Sequence, residues 1–194
     1  MKIEKIHNFE DSQKIEESGF GRQNKFYKQY FGNLPHRVSY VKYKEIQRSD
    51  RDLFIENTKG EVFSISEKNR TEDYDDILFE IYSIYYLDGD YRNKTGWGMD
   101  SKADLLAYFL PSSVVLVDMK KMVSILSDPC NKITKQVEMI YRGTMDKDIW
   151  FYNKPYHSTI VRAYNKSGYW SLSITLKERI LKELGVRHRV FSLP

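Results

Sequence analysis

Two short strand-like runs joined by a four-residue turn constrain the fold of this chain more than any other feature of its sequence. LFIEN (53–57) and VFSIS (62–66) carry the apolar spacing and the β-branched and aromatic content of β-strands. The TKGE segment between them (58–61) contains a glycine that suits a tight connection. The pattern predicts a β-hairpin, in which the start of the first strand lies close to the end of the second.

Length and composition favour one folded domain. The chain has 194 residues, of which 41% are hydrophobic and 14% aromatic, and this is enough apolar material for a core and excludes a disordered chain. Its net charge of +4, from 31 basic and 27 acidic residues, suits a polyanionic partner without requiring one.

The cysteine count and the apolar runs indicate where the chain resides. The single cysteine, Cys130, excludes an intramolecular disulfide and a cysteine-based zinc site. The polar amino terminus has no secretory apolar region, and no apolar run approaches the roughly 20 residues that span a bilayer. We therefore expect a cytoplasmic protein without a membrane segment.

The segments on either side of the hairpin predict helices and further strands. The sequence predicts two short helices between residues 9 and 31 and a strand at 37–43. Apolar spacing favours a helix at 74–86, although its β-branched and aromatic residues also fit a strand, and turn residues predict a surface loop at 87–98. KADLLAYFL (102–110) predicts a helix that is capped by Asp100 or Ser101 and ends at Pro111. After it, SVVLVD predicts a buried strand and MKKMVSIL predicts a helix.

The carboxyl-terminal third predicts mostly strands. IWFYN, STIVRAY and YWSLSIT have strand composition, and LKERILKEL has its leucines and isoleucine on one helical face. The chain is thus expected to be α/β (α+β), with a central mixed sheet flanked by helices. We expect residues 1–130 to form the core and residues 131–194 to form a β-rich extension packed on the same domain.

The hairpin brings chargeable side chains together. Asp52 opens the first strand, while Ser66, Glu67 and Lys68 end the second, so both groups lie at one edge of the sheet. The two-residue period places Ser66 and Lys68 on one face and Glu67 on the other. Asp50 is the main rival of Asp52, because it lies two residues earlier and shares its face if the strand extends back.

A further carboxylate is available from the next segment. The loop after Lys68 is long enough to bring Glu80, on the predicted helix, back across the strand ends. Two carboxylates can hold Mg²⁺ or Mn²⁺, which polarises a phosphoryl oxygen and acidifies a bound water, while a lysine stabilises the charge that develops during phosphodiester cleavage. Asp52, Lys68 and Glu80 are therefore the candidate catalytic residues.

This arrangement resembles the PD-(D/E)XK nuclease superfamily. The matching parts are Asp52, the triplet Ser66-Glu67-Lys68, the segments DILFE and KADLLAYF, and the strand SVVLVD, and the resemblance covers roughly residues 10–126. It implies a Mg²⁺-dependent endonuclease that hydrolyses DNA.

The chain departs from the superfamily pattern at the first position of the triplet, where Ser66 stands in place of an acid. Some restriction endonucleases of the superfamily have serine there and carry the acid on the next helix, and Glu80 matches that variant. The resemblance also implies that the backbone carbonyl of Glu67 binds the metal and that Glu16 or Glu17 in the first helix assists.

Basic residues near these motifs are candidates for DNA contact, namely Lys102, Lys94 and Arg70. Trp97, between two glycines, is expected to pack as a loop anchor rather than to stack on a base. The alternative function is a catalytically inactive protein of the same fold that binds nucleic acid or a host protein. A homodimer is expected if the tyrosine-rich carboxyl-terminal strands form an interface.

Overall fold

Strands make up more of the fold than helices. The fold is that of a computed structural model, which describes residues 9–38, 49–86, 93–165 and 168–193, with side chains from residue 20 onward except at residue 165. These residues form five helices and twelve strands, so the α+β class expected from the sequence is confirmed. Among them, no helix is both long enough and apolar enough to cross a bilayer.

The helices range from one turn to six turns in length. They are α1 (Phe9–Phe31), α2 (Trp97–Asp100), α3 (Met119–Leu126), α4 (Ile133–Tyr141) and α5 (Glu178–Glu183).

The strands belong to three sheets. They are β1 (His36–Arg37), β2 (Leu53–Glu56), β3 (Val62–Asn69), β4 (Asp76–Tyr85), β5 (Lys94–Thr95), β6 (Leu105–Phe109), β7 (Ser113–Asp118), β8 (Asp148–Phe151), β9 (Lys154–His157), β10 (Ile160–Asn165), β11 (Tyr169–Lys177) and β12 (His188–Ser192).

The chain divides into two compact units that interleave along the sequence. The six-stranded unit comprises Asn8–Tyr74, Ser101–Lys120 and Arg187–Pro194. The described residues of the four-stranded unit fall within Asp75–Asp100 and Lys121–Val186. This division follows different boundaries from the expected 1–130 and 131–194, because the chain leaves the first sheet after β3 and returns to it at β6.

The six-stranded unit contains a mixed sheet in the order β1-β2-β3-β6-β7-β12. The predicted hairpin is confirmed, since β2 and β3 are antiparallel and pair Leu53 with Ile65 and Glu56 with Val62. Strand β6 runs parallel to β3 and pairs Lys68 with Tyr108, whereas the other neighbours in the sheet are antiparallel.

Helix α1 covers one face of this sheet. Phe26, Tyr27 and Phe31 pack on apolar residues of β2, β3, β6 and β7, which occupy alternate positions of each strand as the two-residue period requires. A single helix replaces the two short helices predicted at 9–31 because helical backbone continues through Gly19 and Gly21. Of the strand predicted at 37–43, only Arg37, which lies in β1, and Val38 fall within the described residues.

The four-stranded unit contains the sheet β10-β11-β4-β5 and the separate hairpin β8-β9. The carboxyl-terminal strands expected from the sequence correspond to β8, β10 and β11, and the final helix corresponds to α5. Helix α4 and strand β9 were not predicted from the sequence.

The helix predicted at 74–86 is wrong, because this segment is strand β4. Ile77, Phe79 and Ile81 alternate as buried residues, and β4 pairs along its length with β11, roughly ninety residues later in the chain. Its β-branched and aromatic residues favour a strand once that partner is present.

The helix predicted from KADLLAYFL is also wrong. Leu105–Phe109 is strand β6, whose neighbours on either side are β3 and β7. A strand that is buried on both faces has a continuous apolar run, which periodicity cannot distinguish from a buried helix. The predicted strand SVVLVD and the helix MKKMVSIL are confirmed as β7 and α3.

Candidate functional site

Asp52 lies at the point where β3 extends beyond its hairpin partner. Its backbone N–H donates to the Ile65 carbonyl over 2.9 Å, and pairing between β2 and β3 ends there. Beyond this point the Asp52 side chain, rather than the backbone of β2, accepts from β3. Oδ2 of Asp52 accepts a 2.7 Å hydrogen bond from the backbone N–H of Glu67. The hairpin therefore fixes the Asp52 carboxylate beside the final residues of β3.

Lys68 contacts two carboxylates at this point. Its Nζ lies 2.7 Å from Oδ1 of Asp50 and 3.8 Å from Oδ2 of Asp52. The side chains are 25%, 13% and 32% exposed for Lys68, Asp50 and Asp52, so solvent reaches a cluster that is largely buried. The structure thus brings together Asp52 and Lys68 from the predicted set and adds Asp50, the rival of Asp52.

Asp50 combines a turn conformation with a buried carboxylate oxygen. Its backbone has φ of 58°, a left-handed conformation that aspartate adopts more readily than most residues other than glycine. Its Oδ2 atom is buried and has no hydrogen-bond partner among the described residues. A buried carboxylate oxygen without a donor is unfavourable unless another positive group satisfies it.

The electrostatics of Asp52 are set by opposing effects. Burial raises the pKa of Asp52 above its ordinary value, the Lys68 ammonium opposes this effect, and the neighbouring Asp50 carboxylate adds to it. The Asp52 carboxylate therefore gains from any further cation at this place.

Ser66 occupies the triplet position where the superfamily has an acid. It is fully buried, and its Oγ lies 3.5 Å from Oδ2 of Asp52 as a hydrogen-bond donor. Ser66 therefore helps to hold Asp52 but supplies no charge.

Glu67 faces the opposite side of the sheet, as the two-residue period predicts. Its carboxylate accepts a 2.9 Å hydrogen bond from the Tyr27 hydroxyl and is paired with the Arg37 guanidinium. Burial raises the pKa of Glu67, and the hydrogen bonds from Arg37 and Tyr27 oppose that effect. Tyr27 and Arg37 were not predicted from the sequence, because α1 and β1 meet β3 only in the folded chain.

Glu80 has its described hydrogen bond within the four-stranded unit. It lies on β4 opposite Ser173, and its Oε1 accepts a 2.8 Å hydrogen bond from the Ser171 hydroxyl. The prediction placed Glu80 beside Lys68 because a helix would carry it back across the strand ends. That helix is absent, since the segment is strand β4. Its catalytic role remains a prediction from the family resemblance.

The GWG segment packs closely on Glu80. A Cβ at Gly96 would lie 2.6 Å from the Glu80 carbonyl oxygen, and one at Gly98 would lie 2.7 Å from the same atom. The Trp97 ring contacts Phe79 at a centroid distance of 5.8 Å, as its predicted packing role requires, although Trp97 begins helix α2 rather than lying on a loop. The two glycines are thus required by close approach of backbone to backbone.

The predicted DNA contacts fall in different places. Lys102 is exposed, and its backbone N–H donates to the Ser49 carbonyl over 2.9 Å, next to Asp50 in sequence. Arg70 follows Lys68 by two residues in the chain, and its guanidinium lies 4.4 Å from the centre of the Tyr74 ring. Lys94 is exposed on β5 of the four-stranded unit. The side chains of Glu16 and Glu17, in α1, are outside the described part of the chain.

The capacity of the cluster to hold a metal rests on Asp50 and Asp52. The described residues contain no group of three or more His, Cys, Asp or Glu that could hold a metal ion. Mg²⁺ is commonly held by only one or two carboxylates together with water and substrate phosphates. The buried, unpartnered oxygen of Asp50 and the two adjacent carboxylates fit that mode of binding.

Comparison with protein-family models found no match, and comparisons with curated proteins and with solved structures found none either. The resemblance to the PD-(D/E)XK superfamily therefore stays a prediction from the sequence.

Proposed function

We propose that this chain is a metal-dependent nuclease that hydrolyses DNA, with Asp50, Asp52 and Lys68 at its centre. The observation that carries the proposal is the position of the Lys68 ammonium, 2.7 Å from Asp50 and 3.8 Å from Asp52, where β3 extends beyond β2. Two carboxylates and a lysine at the end of a hairpin are the groups that the superfamily resemblance requires.

Each residue has a distinct role in the proposal. Asp50 and Asp52 hold Mg²⁺ or Mn²⁺, which when bound supplies Lewis acidity toward phosphate and an acidified water. The Glu67 N–H fixes the Asp52 carboxylate, and by the resemblance the Glu67 carbonyl is a further oxygen ligand. Lys68 donates to the non-bridging phosphate oxygens and stabilises the charge that grows on them.

Asp50 takes the role that the sequence assigned to Glu80. The contact of Asp50 with Lys68 supports this exchange, as does the unpartnered Oδ2 of Asp50. Glu80 instead accepts a hydrogen bond from Ser171.

DNA is the proposed substrate because cations accompany the cluster. Lys102 is exposed beside the Ser49 segment that leads into Asp50, and Arg70 follows Lys68 by two residues. The net charge of +4 agrees with a polyanionic partner. The proposal also includes the cytoplasmic location and the homodimer that the sequence analysis expects.

The second candidate function is a protein of this fold that binds nucleic acid or a host protein without cleaving it. Ser66 favours it, since this buried residue provides no carboxylate where the superfamily has one. Under this function, Asp52 serves only to hold the Glu67 N–H and the Lys68 ammonium.

The deciding experiment is cleavage of labelled single-stranded, duplex and branched DNA by the purified protein with Mg²⁺, with Mn²⁺ or with EDTA. Calorimetry with each metal alone provides a second readout, and light scattering gives the oligomeric state. The nuclease proposal expects metal binding together with cleavage that EDTA abolishes. Metal-independent DNA binding without cleavage, and without a calorimetric signal, would select the second function.

A further inference from the structure

A groove of about 660 Å³ lies between α1 and β12 in the six-stranded unit. Its lining includes Arg22, Lys25, Phe26, Tyr30, Phe191 and Leu193, and none of its lining residues is acidic. We call it the α1-β12 groove. Its volume falls within the roughly 300–1,000 Å³ that is usual for binding sites of organic ligands.

Among the described residues, the cations at the groove have no carboxylate partner, in contrast to several other cations of this unit. Arg37, Lys68 and Lys120 each form an ion pair with Glu67, Asp50 and Asp104, respectively. Among the described residues, no carboxylate is paired with Arg22, Lys25 or the nearby Arg189.

Two of these cations are nevertheless held in place by neutral groups. Nη1 of Arg22 donates to the Pro111 carbonyl over 2.9 Å, and Nη1 of Arg189 donates to the Tyr30 hydroxyl over 3.2 Å. Because neutral acceptors leave the positive charge uncompensated, the groove presents ordered positive charge to a ligand.

Aromatic rings form the apolar part of the groove. The Tyr30 ring is stacked on Phe26 with an interplanar angle of 5° and lies 4.4 Å from the Phe191 ring, centroid to centroid. Tyr30 is 39% exposed, so part of its ring is accessible to a ligand. Accessible rings beside a line of cations are the combination that holds single-stranded nucleic acid, whose bases stack while its phosphates pair.

We propose that the α1-β12 groove binds single-stranded nucleic acid, with a base against Tyr30 and Phe191 and phosphates at Arg22, Lys25 and Arg189. An acidic peptide would match the charge, but it would not use the stacked rings. The groove involves α1, whereas the Lys68 cluster lies on the face of β3 that points away from Glu67 and Tyr27. The inference therefore concerns binding, and it does not depend on the proposed cleavage.

The test is fluorescence anisotropy of a labelled oligothymidylate of about 12 nucleotides, titrated with the full chain in EDTA. Lys25→Glu should weaken binding about tenfold and reduce the salt dependence. The matched control is Lys59→Glu, since Lys59 is an exposed lysine in the hairpin turn of the same unit, and it should bind within about twofold of wild type. Tyr30→Ala should weaken binding by about tenfold or more, and Tyr30→Phe, which keeps the ring but loses the hydroxyl that accepts from Arg189, should weaken it less.

Three results would overturn the proposal. The first is no binding by wild type at low salt, and the second is equal weakening by Lys25→Glu and Lys59→Glu. The third is polyglutamate displacing the oligonucleotide as well as unlabelled oligothymidylate does, which would identify an acidic polypeptide as the occupant. If Tyr30→Ala does not fold, Lys25→Glu still decides, because Lys25 is exposed.

Lys68→Ala separates this inference from the proposed function. It should still bind the oligonucleotide in EDTA more tightly than Lys25→Glu does, while the nuclease proposal expects it to lose cleavage. Binding that is lost in Lys25→Glu but retained in Lys68→Ala supports the groove whether or not any DNA is cleaved.

Discussion

The ammonium nitrogen of Lys68 lies 2.7 Å from Oδ1 of Asp50, closer than the 3.8 Å that separates it from Oδ2 of Asp52. The nearer partner precedes β2 and adopts a left-handed backbone, whereas the farther one is fixed by the Glu67 N–H. Lys68 therefore joins the segment before β2 to the end of β3, and it stands between carboxylates that would otherwise repel each other.

Lys68→Ala should lower the rate of metal-dependent DNA cleavage by about a hundredfold or more, because the charge that develops on phosphate loses its stabilising cation. Initial rates with Mg²⁺ give the effect, and circular dichroism reports whether the variant is folded. Lys120→Ala is the matched control, since it removes an exposed lysine of the same unit from its ion pair with Asp104. Undiminished cleavage by a folded Lys68→Ala protein would refute the role of this lysine.

Asp50→Asn and Glu80→Gln decide which of these two residues is the second metal carboxylate beside Asp52. Asp50→Asn should abolish the calorimetric signal for Mn²⁺ and most of the cleavage, because it removes a carboxylate that contacts Lys68. Glu80→Gln should retain both, since the amide oxygen still accepts from the Ser171 hydroxyl. The reverse outcome would return the metal site to the pair that the sequence predicted, Asp52 and Glu80.

The sequence predicts the hairpin and the faces of its residues because both depend on local features. Alternation and the TKGE turn determine the register of β2 and β3, and that register places Asp52 beside Lys68 and Glu67 on the other face. These features involve residues within about 20 positions of each other, so no distant partner is needed to predict them.

The two misassigned segments depend on partner strands that are distant in sequence. Strand β4 pairs with β11, and β6 pairs in parallel with β3 after the chain has passed through the other unit. Apolar residues at 77, 78, 81, 84 and 85 fit a helical period, and only the partner strand decides against it. The same limit explains why the sequence did not predict the contact between Tyr27 and Glu67.

Tyr27→Phe should destabilise the protein by about 1–3 kcal/mol, because the buried Glu67 carboxylate loses the hydrogen bond from the tyrosine hydroxyl. Urea denaturation followed by circular dichroism measures the change. Tyr74→Phe is the matched control, since the Tyr74 hydroxyl donates to Glu72 at an exposed position, and its effect should stay within about 0.5 kcal/mol. Equal effects of the two variants would contradict the buried role of Tyr27.

Gly96→Ala should destabilise the protein by about 1–3 kcal/mol, since the new Cβ would lie 2.6 Å from the Glu80 carbonyl oxygen and the backbone would have to move. Gly21→Ala provides the opposite case. This glycine is helical, and among the described residues no heavy atom beyond its own helix backbone lies within 4 Å of its ideal Cβ, so alanine should stabilise α1 by about 0.5–1 kcal/mol. Thermal unfolding of both variants tests the pair, and a stable Gly96→Ala protein would show that the GWG segment tolerates a side chain.

Asp52→Asn should change how stability depends on pH. Burial raises the pKa of Asp52, so the folded state holds this proton more tightly than the unfolded state, whose pKa is about 3.9. The free energy of unfolding therefore decreases as pH rises from that value through the raised pKa, and Asp52→Asn removes this decrease.

Asp75→Asn is the control for the Asp52 experiment because its effect should have the opposite sign. The hydrogen bond from Lys177 lowers the pKa of Asp75, so Asp75 adds stability above its unfolded-state pKa, and this contribution is lost as pH falls. Urea denaturation of the three proteins at several values between about pH 3 and pH 7 gives the curves. Asp52→Asn should become more stable relative to wild type as pH rises, and Asp75→Asn should become less stable. If the stability of Asp52→Asn changes with pH in parallel with that of wild type, Asp52 has the same pKa in the folded and unfolded states. Burial beside the end of β3 would then not raise the pKa of Asp52.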